Sequence, residues 1–263
     1  MSAIIIDGKL LHYETFGRGK PLIFLHGWLG SWRYWMPSME LMSEHGRTYA
    51  LDLWGFGDSD HANGKYSVPQ YVDLLEAFIE EMGIGSMTLI GHALGAAVAM
   101  HYAIKKPEHV ARIMTISAPI TGNTINRKLL SSETSFLDRV RGWKPTEGHA
   151  EVEQEMDKMA QDVIEASVRS SMDTDLQQMI NQIQIPILLV HGERDTLVAP
   201  PQPNWLTDAG KNVRTILLPD IQHFPMLDET ARFTRLLADF LEIDDKEELG
   251  ALTIENTWRR RTH

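Results

Sequence analysis

The chain of 263 residues contains no cysteine, which removes disulfide staples, thiolate metal sites and thiol nucleophiles in one step. It has no apolar run of about 18 residues and no basic segment leading into an apolar one at its start. The sequence therefore predicts neither a membrane span nor a secretory leader, and it reads as a cytoplasmic protein. Positive charge is scarce: 25 Lys and Arg stand against 36 Asp and Glu, for a formal charge of −11. That balance argues against nucleic acid as a partner, because a phosphate backbone is held by clustered basic side chains. The one basic run, Arg259, Arg260 and Arg261, follows the acidic stretch EIDDKEE and reads as a solvated tail. His and carboxylate residues show no H-E-x-x-H or comparable spacing, so no metal and no cofactor is expected. Serine, threonine, carboxylates and histidine remain for chemistry.

What is present is an alternation of strand-like and helix-like segments. AIIID and KLLHYETF flank Asp7-Gly8, a dipeptide that suits a tight hairpin turn. Buried strands are expected at Pro21 to Leu25, in TYALDL, at Met87 to Ile90, at Val110 to Ser117, in IPILLVHG and in VRTILLP. Between them the apolar spacing predicts helices near Trp32 to Ser43, over Val68 to Met82, over Leu94 to Lys105, near Pro201 to Ala209 and from about Met226 to Leu241. The rhythm breaks from Pro119 to Gln184, where no strand candidate occurs and Val152, Met156, Met159, Val163 and Val168 share a helix face. The expected architecture is α/β: a mostly parallel central sheet with helices on both faces, an N-terminal β-hairpin and an inserted helical cap. The boundaries are a core over 1–118, the cap over 119–184, the second part of the core over 185–245 and a tail over 246–263.

Four stretches look chemical: FLHGWLGS, DLWGFGDSD, GHALG, and the pair HGERDTLVAP with QHFPMLDE. GHALG lies between a strand and a helix, the layout of a G-x-S-x-G nucleophile elbow, but Ala93 occupies the serine position. In that turn Gly91 and Gly95 would let strand and helix approach closely. Asp52 and Asp58 read best as members of a turn braced by its own hydrogen bonds.

With these motifs in this order, the chain resembles an α/β-hydrolase of the small, capped esterase, lactonase and carbon–carbon hydrolase branch. The resemblance implies catalytic positions at Ala93 (the nucleophile position), Asp195 (the acid, preferred to Glu193) and His223 (the base). It also implies an oxyanion hole from the backbone N–H groups of Trp28 and Leu94. His26 is expected to be structural. Trp28, His92, Phe136, Met156 and Met159 are the candidates for substrate contact. Trp28, Trp32, Tyr34 and Trp35 either form an aromatic pocket wall or pack the loop. The implied substrate is a small apolar ester or lactone.

Alanine cannot attack a carbonyl. Retention of both histidine and acid favours an engineered serine-to-alanine change that holds substrate without consuming it. The alternatives are a natural pseudoenzyme that binds a small ligand, and a hydrolase or lyase that uses no serine nucleophile. Ser31 and Ser117 are poor substitutes because neither sits on an elbow.

Overall fold

Asp7 and Gly8 sit at φ 52° and 73°, the left-handed pair that suits a two-residue hairpin between right-twisted strands. They join β1 (Ser2–Ile6) to β2 (Lys9–Phe16). In this computed structural model, which describes residues 2–62, 64–130, 150–202, 210–243 and 246–252, the hairpin forms one edge of the sheet. The other strands are β3 (Pro21–Leu25), β4 (Arg47–Leu51), β5 (Met87–His92), β6 (Val110–Ile116), β7 (Ile187–Gly192) and β8 (Val213–Leu218). The eight strands lie in the order β1-β2-β4-β3-β5-β6-β7-β8. β1 with β2 and β2 with β4 are antiparallel, and every later pairing is parallel. β5 and β7 are buried at every residue, as strands covered on both faces must be.

The helices that cover the sheet follow from local sequence. The segment Trp32–Trp35 is a short 3-10 turn that runs into α1 (Met36–Met42). α2 (Val68–Glu81) starts where Ser67 N–H donates to Gln70 Oε1 at 3.0 Å and stops before Gly83 at φ 61°, a start and a stop with a physical cause at each end. Its Tyr71, Leu75 and Phe78 are fully buried. α3 (Leu94–Lys105) buries nine of the ten residues from Leu94 to Ala103, all but His101, because it sits at the centre of one layer.

Between β6 and β7 lie α4 (Ala150–Lys158), α5 (Gln161–Met172) and α6 (Leu176–Ile180). Among the described residues of that insertion there is no strand, only isolated bridges pairing Thr121 with Asp175 and Ile125 with Val198. Val152, Val163 and Val168 are buried, and Met159 packs half-buried against the core. Phe136 and the side chain of Met156 lie outside the described residues, as does most of the helix expected at 201–209.

Two expectations need correction. The single helix expected from Met226 to Leu241 is two, α7 (Pro225–Asp228) and α8 (Thr230–Leu241). The break falls at Glu229, whose backbone leaves the helical region at φ −144° and ψ 53°. The presumed tail begins with α9 (Lys246–Ala251), where Leu249 is buried and the Leu252 carbonyl accepts from Arg214 Nε on β8 at 3.0 Å.

A methyl group at Gly95 would overlap the Leu25 carbonyl, whereas one at Gly85 would meet nothing within 4 Å. Gly95→Ala should therefore destabilise the protein by about 1–3 kcal/mol through overpacking, and Gly85→Ala should leave the melting temperature essentially unchanged. Equal melting temperatures for the two variants would contradict the close crossing of α3 over β3.

Candidate functional site

Parallel strands place their carboxyl ends on one edge of the sheet. Gly27 and Trp28 follow β3, Ala93 follows β5, Ser117 follows β6 and Asp195 follows β7. Ala93 has φ 48° and ψ −105°, a conformation that costs a non-glycine residue on the order of 1–3 kcal/mol. The surroundings impose it. Ala93 N–H donates to the Ile116 carbonyl at 2.9 Å and Gly95 N–H to the His26 carbonyl at 3.1 Å. The β3 loop comes so near that a Cβ on Gly27 would lie 3.0 Å from the Ala93 methyl. Leu94 is the first residue of α3, so its N–H has no intrahelical acceptor. Among the described residues no acceptor is found for the N–H of either Leu94 or Trp28. Two free donors thus flank a buried methyl group.

His223 Nδ1 lies 2.8 Å from Asp195 Oδ2, with the two side chains 2% and 0% exposed. The other Asp195 oxygen accepts from Leu197 N–H at 2.9 Å and Val198 N–H at 3.0 Å. Burial pushes the Asp195 carboxyl up, but the His223 charge and hydrogen bond, the Val198 N–H and the Ser117 hydroxyl together hold it below the usual value. A carboxylate in this state accepts, so His223 Nδ1–H donates and fixes the ring tautomer. Glu193 is exposed, and its carboxylate accepts from Asp220 N–H at 3.4 Å.

His26 Nε2 accepts from Leu53 N–H at 2.9 Å, so its Nδ1–H donates to the Gly27 carbonyl at 2.8 Å. Burial lowers its pKa, and the neutral ring braces two loops. His92 has no free polar atom for a substrate. Its Nδ1 meets the Tyr34 hydroxyl at 2.9 Å and its Nε2 meets the His223 carbonyl at 3.0 Å, which corrects the expected substrate contact. Trp28, Tyr34 and Trp35 are at most 1% exposed, and Trp35 stacks against Phe24, Tyr34 and Phe233. The aromatic cluster packs the loop. Trp28 keeps a buried indole N–H without a partner among the described residues.

Asp52 is a hub. Oδ1 accepts from Trp32 N–H at 2.7 Å, and Oδ2 accepts from Asp58 N–H at 2.9 Å and meets His12 Nδ1 at 2.9 Å. His12, Asp52 and Asp58 each bring a ligand-type atom within 4.8 Å of the others, but the Asp52 oxygens already serve three donors, which accounts for the cluster as a brace. Arg33 extends it outward, bonding Asp58 at 2.7 Å and pairing with Glu155 of α4 at 3.6 Å. His12 was not singled out by the sequence, and Tyr34 and Ser117 were singled out for other roles, a pocket wall and a substitute nucleophile. Ser117 is buried at φ 48° with its hydroxyl 3.5 Å from the His223 carbonyl, and only its place at a strand end hinted at this.

The sequence profile described as "alpha/beta hydrolase fold" matches residues 20–163. The chain is 24% identical over 261 residues to the pimeloyl-[acyl-carrier protein] methyl ester esterase of Nitrosomonas europaea, covering 85% of this chain and 96% of that one. It is 30% identical over 112 residues to the soluble epoxide hydrolase of Corynebacterium, covering 43% of this chain and 39% of that one. The solved enol-lactonase from Burkholderia xenovorans superposes with a TM-score of 0.82 at 18% identity, covering 92% of this chain and all 100% of that one. Among the described residues no helix is long and apolar enough to cross a membrane.

The brace predicts a pH dependence. Burial lowers the His12 pKa, but the Asp52 hydrogen bond and the charges of Asp52, Asp58 and Glu14 raise it above the ordinary 6.5. Its stabilisation is therefore complete below pH 6.5 and is lost as pH rises through the folded value. Melting curves across that rise should fall more steeply for the parent than for His12→Gln. Parallel curves would remove His12 from the account.

Proposed function

Because the chain belongs to the alpha/beta hydrolase fold family, we propose that its site is that of a carboxylic-ester hydrolase in which Ala93 stands where a serine would act. The observation that carries this reading is the strained turn at residue 93, held at φ 48° beside the hydrogen-bonded His223–Asp195 pair. A non-glycine residue held at that cost between a strand and a helix fits a side chain projected from that point. Similarity to a methyl ester esterase and to an enol-lactonase supports esters and lactones as the substrate class.

With serine at 93, the hydroxyl proton would pass to His223 Nε2 as the oxygen attacks the acyl carbon. The developing oxyanion would accept from the N–H groups of Trp28 and Leu94, while Asp195 stabilises the imidazolium. Collapse would expel the alcohol with the proton from His223, and water activated by the same histidine would release the acid. With alanine, the first bond cannot form. The chain then holds a small ester or lactone without acylation, as a serine-to-alanine form of the enzyme.

The test compares the parent with Ala93→Ser on p-nitrophenyl acetate and butyrate, with a fluorophosphonate probe reporting an activated serine. The variant should hydrolyse both esters and take the label, and the parent should turn over on the order of 10⁶-fold more slowly. If both proteins stay silent, the ester-hydrolase reading is wrong. Epoxide opening by Ala93→Asp with a silent Ala93→Ser would instead place a carboxylate at the original nucleophile position.

A further inference from the structure

We propose that Tyr34 and His92 are positioning residues, forming one directed hydrogen-bond chain that runs from Gly27 N–H through the Tyr34 hydroxyl and the His92 imidazole to the His223 carbonyl. This deepens the hydrolase reading, and its catalytic consequence rests on that reading. The three links measure 2.6 Å from Gly27 N to Tyr34 Oη, 2.9 Å from Oη to His92 Nδ1 and 3.0 Å from His92 Nε2 to the His223 oxygen. They join four places in the fold, the loop after β3, the 3-10 turn, the last residue of β5 and the loop before α7, the second and third links spanning 58 and 131 positions.

The direction of the chain follows from counting protons. Gly27 N–H can only donate, so the Tyr34 oxygen accepts there and its single O–H is left for His92 Nδ1. Burial holds the phenol well above its ordinary pKa, so the O–H persists. Burial, helped by the neighbouring His223 and His26, holds His92 well below 6.5, so the ring is neutral with one N–H. Nδ1 accepts, that N–H is therefore on Nε2, and it donates to the His223 carbonyl, which can only accept. No alternative arrangement of protons satisfies all three contacts.

Each end of the chain sits beside a group that the proposed chemistry needs. At one end, Gly27 is pinned twice. Tyr34 takes its N–H, and His26 Nδ1–H holds its carbonyl at 2.8 Å. The Gly27 carbonyl and the Trp28 N–H belong to one planar peptide, so clamping the first aims the second. At the other end, the His223 carbonyl is held by His92 at 3.0 Å and approached by the Ser117 hydroxyl at 3.5 Å, while the His223 ring is held by Asp195. The His92 and His223 rings lie 4.4 Å apart between centroids. The chain thus ties the Cα between two clamped peptides, one held by Tyr34 and the next, which carries the Trp28 N–H, held by His26, to the backbone of the general base across residue 93. A hydrophobic filler of the same shape would pack there without making that tie.

The experiment has two arms. In the parent chain, long-range proton–nitrogen-15 spectra of the imidazoles should show His92 as the neutral Nε2–H tautomer at pH 6.5 and above, where an ordinary histidine is still partly protonated. In Tyr34→Phe, the Nδ1 resonance should move to the position of an unbonded acceptor nitrogen. An Nδ1–H tautomer, an imidazolium in that range or an unmoved Nδ1 resonance would overturn the proposal. In the Ala93→Ser background, Tyr34→Phe and His92→Leu should lower kcat up to about 100-fold with little change in KM, the signature of misplaced reacting groups. His92→Gln keeps one acceptor and one donor at a similar spacing and should retain most of kcat. An unchanged kcat in Tyr34→Phe, or equal losses for His92→Leu and His92→Gln, would reduce both residues to packing. Tyr34→Phe removes a single oxygen and decides the second arm if His92→Leu does not fold. If Ala93→Ser is itself silent on esters, the hydrolase reading fails and the spectra alone decide the chain.

Discussion

The turn at Ala93 is the constraint on which the site depends. A non-glycine residue at φ 48° is stable only where its surroundings leave no other path. Here those surroundings are glycines at closest approach. Gly91 has no room for a methyl beside Gly95, Gly95 none beside Leu25 and Gly27 none beside His92. β5, α3 and the loop after β3 are brought together at one point, and the free N–H groups of Trp28 and Leu94 are set by the same crossing. The strain is offset by a large buried core, which is the usual way that a fold keeps such a conformation.

Around that turn, the buried histidines are sorted by their partners. His26 and His92 each use both ring nitrogens between loops and are kept neutral by burial. His191 is buried without a hydrogen-bond partner among the described residues, and burial lowers its pKa to about 4. His12 has a carboxylate neighbour strong enough to reverse the effect of burial. His223 pairs with a buried carboxylate whose other oxygen takes two backbone N–H groups, those of Leu197 and Val198. Burial alone therefore distinguishes none of them. The partner sets the role.

Much of the fold was legible in the sequence because its signals are local. The Asp7-Gly8 turn and the glycines of the elbow each act within a few residues, and α3 was expected over its observed Leu94–Lys105. The Asp195 and His223 pair was also legible, through motif order. What escaped is non-local. Tyr34 bonds His92 across 58 positions and His92 bonds His223 across 131, and no periodicity or spacing encodes such a contact. His92 was expected to touch substrate, but it is fully buried with both ring nitrogens bonded to Tyr34 and His223. The α7–α8 break was hidden as well, since Glu229 leaves the helical region within a segment whose apolar spacing is continuous.

The measurement that bears most directly on the central claim is a crystal structure of the parent chain soaked with a short-chain p-nitrophenyl ester. The account predicts an intact ester with its carbonyl oxygen within hydrogen-bond distance of the Trp28 and Leu94 N–H groups and its acyl carbon above the Ala93 methyl. A hydrolysed acid in that position, or an ester bound away from residue 93, would contradict it.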